Sequence, residues 1–164
     1  MTDKIQPKDK DELIEIIEDT IKKEGYNCNL NFIDTSKITD MSYLFKNSDF
    51  NGNISEWDVS NVTNMNYMFY GSKFNSDISN WNTSNVKSTK GMFEYSKFNS
   101  DISMLDMSSV TDMSEMFTWS DFDSDISKWD VHNVENAAWM LCNCKLEKKS
   151  KLHPKFNFFF KKYK

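Results

Sequence analysis

The chain has 164 residues, enough for one domain with a packed core, and its 38% hydrophobic content leans on aromatics at 15%. Gly (4) and Pro (2) are too scarce for a sandwich or barrel built on many tight turns. The net charge of −5 is divided unevenly: residues 145–164 hold eight Lys and one Glu, or +7, which leaves −12 on residues 1–144. An acidic body repels a phosphate backbone, so nucleic acid is not an expected partner of that body.

All twenty cations are Lys, which excludes bidentate guanidinium recognition. Three cysteines, Cys28, Cys142 and Cys144, are odd in number and too few for a disulfide framework. The first residues hold no apolar run of the kind a secretory signal needs, so the expectation is a cytoplasmic protein.

In chain order, residues 1–25 are expected to carry an N-terminal capping helix over 9–24. Asp9 with Glu12 forms a capping-box-like pair, and Leu13, Ile16, Ile17 and Ile21 make one apolar face. Gly25 supplies the stop.

Residues 26–144 are a repeat. SDFNGNISEWDVSNVTNMNYMFYG is followed by three further units, starting at Ser48, Ser72, Ser96 and Ser120, every spacing being 24 without insertion or deletion. A partial unit precedes them from Tyr26. Comparing copies within the chain exposes apolar columns, among them Tyr26/Phe50/Phe74/Phe98/Phe122, Leu30/Ile54/Ile78/Ile102/Ile126 and Ile33/Trp57/Trp81/Leu105/Trp129. Others are Ile38/Val62/Val86/Val110/Val134, Leu44/Met68/Met92/Met116/Met140 and Phe45/Phe69/Phe93/Phe117/Leu141. Only stacked units bury such columns.

The fold expected is an α/β solenoid, leucine-rich-repeat-like, of about five coils, each with one short strand and one short helix. The segment D-I-S-x-W-D favours a strand by composition. T-x-M-x-x-M-F has apolar residues at i, i+3 and i+4, a helical stripe, with Thr39, Thr63 and Thr111 placed to cap it. Asp, Asn and Ser columns are expected to satisfy backbone groups at the corners. Calcium binding by stacked carboxylates would call for Gly-rich nonapeptides, which are absent.

Residues 145–164, KLEKKSKLHPKFNFFFKKYK, form a basic aromatic C-terminal cap or tail. A cap is favoured because it closes the last coil. As a free tail it would offer the one route to an anionic membrane or nucleic acid.

No chemistry emerges beside the repeat. His132 replaces a turn Ser, Cys142-x-Cys144 with His153 lacks a fourth zinc ligand nearby, and Cys144 sits in a small-residue column. Phosphate loops and nucleophile elbows are missing, and carboxylates recur at every coil without one pair set apart. Neither an enzyme nor a metal or cofactor site is expected.

The unit F-N-x-D-I-S-x-W-D-x-S-N-V-T-x-M-x-x-M-F, over about residues 30–141, resembles the repeat of BspA-like bacterial surface proteins, which are leucine-rich-repeat-like and of poorly known function. The resemblance implies a bacterial source, a right-handed solenoid, and adhesion or protein–protein recognition. It also implies the cell surface as an alternative location.

If uniform columns are core, the varied ones face water. Column 43/67/91/115/139 reads Tyr43, Tyr67, Gly91, Glu115, Trp139, and column 47/71/95/119/143 reads Asn47, Gly71, Tyr95, Trp119, Asn143. The candidate partner-binding residues are therefore Tyr43, Tyr67, Tyr70, Tyr95, Trp119 and Trp139, since Tyr and Trp dominate interface energy. The expected function is a protein-interaction or adhesion scaffold; self-assembly is the structural alternative.

Overall fold

The computed structural model describes residues 4–146 and 152–156. The chain enters through Ile5, whose N–H and C=O pair with Phe32 and Asp34 of the first unit at 2.9 and 2.8 Å. Helix α1, Lys10–Glu24, follows. Asp9 is extended and its carboxylate accepts from the Glu12 N–H at 2.9 Å, satisfying one open donor of the first turn. Glu12 returns the bond to the N–H of Lys8 rather than to that of Asp9. Gly25, at φ 87°, ends the helix by donating to the Ile21 carbonyl. Leu13, Ile17 and Thr20 are buried, and the Lys10 ammonium ties the helix to Asp40 and Ser42 of the first unit.

The units that follow stack in register at the 24-residue period, through parallel bridges Asp40↔Asn64↔Ser88↔Asp112↔Asn136. The α/β solenoid with one strand and one helix per coil is not what they form. Within residues 4–146, α1 is the only helix, and pairing is limited to isolated bridges with no sheet.

The strand fails at its own polar residues. The side-chain oxygens of Asn53, Asp77, Asp101 and Asp125 take the N–H of the Ser two positions on, at 2.8–3.0 Å. Trp57, Trp81 and Trp129 then close a turn onto the carbonyl three back. Local bonds thus consume the groups a ladder needs.

The helix fails because alternate N–H groups leave the coil. Those of Met41, Tyr43, Phe45 and Asn47 donate to the carbonyls of Asn64, Asn66, Met68 and Tyr70 in the next unit at 2.7–3.0 Å. Leu44, Lys46 and Ser48 instead close turns onto Met41, Tyr43 and Phe45. The i, i+3, i+4 stripe is therefore a run of turns with its apolar members facing inward. Thr63 and Thr111 cap nothing; their hydroxyls donate to the Thr39 and Lys87 carbonyls of the preceding unit.

The interior is a set of aromatic columns. Phe45, Phe69, Phe93 and Phe117 stack at 5.5–5.8 Å between centroids, and Phe50, Phe74, Phe98 and Phe122 at 6.1–6.5 Å. Trp57, Trp81 and Trp129 are buried, their indole N–H groups donating to the carbonyls of Leu30, Ile54 and Ile102 at 3.0–3.1 Å. Leu105 interrupts that column, and a small cavity opens beside it, lined among others by Trp81, Thr83, Thr89, Met107 and Met116.

At the far end Leu152 bridges Ile126, the Lys155 ammonium bonds the Val131 and His132 carbonyls, and Phe156 is fully buried. Phe158, Phe159 and Phe160 of the expected cap lie outside the described residues.

Candidate functional site

Each unit bends twice on the side that carries the inter-unit bonds. At both bends the third residue of the turn is left-handed. These are Tyr43 and Asn47, Tyr67 and Gly71, Gly91 and Tyr95, Glu115 and Trp119, Trp139 and Asn143, with φ between 54° and 63°. They are the two varied columns. Gly or Asn suits such a backbone, while a bulky residue there is an outlier. Five positions nevertheless carry Tyr or Trp.

Tyr43, Tyr95, Trp119 and Trp139 are each about half exposed, at 50–55%, and Tyr67 and Tyr70 are half-buried. Five of the six form a continuous band. Tyr43 stacks on Tyr67 at 5.3 Å, Tyr67 meets Tyr70 edge-on at 6.0 Å, Tyr70 meets Tyr95 edge-on at 5.7 Å, and Tyr95 stacks on Trp119 at 6.3 Å. The band crosses four units diagonally. Trp139 stands in the last unit and makes no ring contact with the five among the described residues.

Charged side chains set into the band went unread in the sequence. The Lys46 ammonium lies 5.2 Å from the Tyr43 ring centre and 5.3 Å from that of Tyr70, and Lys90 lies 5.9 Å from Tyr67. The Tyr67 hydroxyl donates to Glu115 Oε2 at 3.0 Å, two units away. Gly91 makes this reach possible, since a Cβ there would collide with the Tyr67 ring. Burial, the bond to Glu115 and the charges of Glu115 and Glu94 push the Tyr67 phenol well above its usual range. Burial and the Glu115 charge likewise push the Glu94 carboxyl up, with Lys90 opposing. Gly91 and Glu115 share the column of Tyr67, so reading that column as contacts would have found them.

The other titratable groups serve the turns or the core. Asp34 and Asp58 accept from the Ser two residues on, which holds their carboxyls below the usual range. His132 pairs with Asp130 at 2.6 Å on the surface. Cys144 is buried, which raises its thiol, and its Sγ donates to the Phe122 carbonyl. Among the described residues no group of three or more His, Cys, Asp or Glu is gathered to hold a metal, and no helix is long and apolar enough to cross a membrane.

Among known proteins, a family model described as "Mycoplasma protein of unknown function, DUF285" matches residues 16–118 and again residues 92–153. No curated protein and no solved structure matches the chain. Two overlapping matches to one model accord with a repeat-type bacterial protein, and together they span most of the sequence. The chain belongs to the DUF285 family, whose function is unknown.

Proposed function

We propose that this protein is a non-enzymatic scaffold that binds another protein through the band Tyr43, Tyr67, Tyr70, Tyr95 and Trp119. The kinship with BspA-like surface proteins belongs to the same reading. One observation carries it: large, half-exposed aromatic rings occupy left-handed turn positions whose own columns elsewhere hold Asn47, Gly71, Gly91 and Asn143. Tyr43, Tyr67, Tyr95 and Trp119 are each held at a backbone cost of about 1 kcal/mol that Asn or Gly would avoid. Stability alone does not favour such a choice, whereas Tyr and Trp are the anchors of protein interfaces.

The test replaces Tyr95 and Trp119 with Asn, the residue the same column uses at both ends. The full-length variant is expected to keep its melting temperature and to lose a partner that the native chain retains from a lysate of its own cells. Retention of the same proteins by both chains would refute the band as the site. Tyr67 is a poor choice for this test, because its ring covers Gly91 and its hydroxyl holds Glu115.

A further inference from the structure

We propose that the partner offers the band a basic segment, with a Lys or Arg side chain seated beside Tyr95 and Trp119 against the carboxylates of Glu94 and Glu115. This rests on the reading of the band as a protein-binding surface.

Glu94 precedes Tyr95 on the same turn and is half-buried. Among the described residues its carboxylate has neither a hydrogen bond nor an ion pair. Glu115, in the next unit, receives the Tyr67 hydroxyl on one oxygen and has no ion pair among the described residues either. Burial and the Glu115 charge raise the Glu94 carboxyl, and Lys90, which opposes that rise, stands over the Tyr67 ring. Two half-buried carboxylates with a single ammonium nearby leave local negative charge beside two half-exposed rings.

A guanidinium or ammonium satisfies both parts of such a place, by ion pairing and by contact with ring faces. An acidic segment would meet repulsion there. The wider field acts in the same sense: residues 1–144 carry 24 Asp and Glu against 12 Lys, or −12, and would speed the approach of a cationic partner. At the opposite end of the band Lys46 is already lodged between Tyr43 and Tyr70, whereas among the described residues neither Glu94 nor Glu115 makes an ion pair.

The experiment selects peptides from a random dodecapeptide phage library on the immobilised full-length protein, with the Tyr95→Asn/Trp119→Asn variant as counter-selection. Peptides retained by the native chain are expected to carry Lys or Arg at a recurring position. A synthetic copy of the best one should bind at least tenfold more weakly to Glu94→Gln/Glu115→Gln, and more weakly as salt rises. Enriched peptides without a basic residue, binding the Gln variant equally well, would overturn the cationic proposal and leave the band as a protein-binding surface. No enrichment over the counter-selected variant would overturn both.

Discussion

The hydroxyl of Tyr67 reaches Glu115 at 3.0 Å across an entire intervening unit, and Gly91 is the residue it passes over. Gly91 is needed twice, for its φ of 58° and for the absence of a Cβ beneath the ring. Gly91→Ala is expected to destabilise the protein by about 1–3 kcal/mol in a denaturant titration. Adding Tyr67→Asn removes the obstructed ring, so the double variant should be less unstable than the sum of the two changes. Strict additivity would show that the ring and Gly91 are not in contact.

Leu105 breaks the Trp column beside a small cavity. Leu105→Trp is expected to fill that space and to give the Ile78 carbonyl the indole N–H that Leu30, Ile54 and Ile102 already receive. A gain of about 1 kcal/mol, or ~3 °C in melting temperature, is the expected result. A loss of stability would mean that the neighbouring residues have closed over the site.

Acid should unfold the protein through its turns. In Asp34 and Asp58 a Ser hydroxyl leads, and in Asp77 and Asp101 a backbone N–H leads, in holding the carboxyl below its ordinary value of 3.8. A depressed carboxyl adds stability that is complete above the ordinary value and is lost as pH falls through and below it. Asn53 and Asn82 make the same turn bond without titrating. The triple variant Asp58→Asn/Asp77→Asn/Asp101→Asn should therefore match the native chain near neutrality and unfold at a lower pH, followed by circular dichroism. An unchanged acid limb would count against the turn carboxylates as its source.

Ser114 Oγ is the one buried side-chain polar atom without a hydrogen-bond partner among the described residues. Its column continues to Ala138. Ser114→Ala is expected to be neutral or to stabilise by up to ~1 kcal/mol, since it removes an unsatisfied group and leaves no large void. A marked loss on thermal denaturation would reveal a bond made by that hydroxyl in solution.

The inward columns were legible because a gapless repeat shows its core by recurrence: Phe50, Ile54, Val62 and their equivalents are buried, except Tyr26, which opens the Phe50 column in the partial first unit and is 52% exposed. The elements between them were not. Apolar residues three and four apart suit a helix, and they equally suit successive turns whose inward members are Met65, Met68 and Phe69. What separates the two is the left-handed backbone at Tyr67 and Gly71, and Tyr gives no hint of it. Gly91 and Asn143 in the same columns were the available clue. The six aromatic candidates could be picked out by their variation. Glu94, Glu115 and Lys46 escaped because a charge on a varied column looks like ordinary solvated surface until its neighbours are known.

The inter-unit bonds on the side that carries the band share a direction. All sixteen run from an N–H of one unit to a carbonyl of the next, beginning at Met41 and ending at Trp119, while elsewhere on the coils three bonds per interface run the other way. The peptide dipoles on this side therefore add, as they do along an α-helix. Here the carbonyl ends, and so the partial negative charge, gather at the first unit. The Lys10 ammonium sits there, between Asp40 and Ser42. This side of the stack is thus electrically oriented, and a charged partner lying along the band would be drawn to one orientation over its reverse.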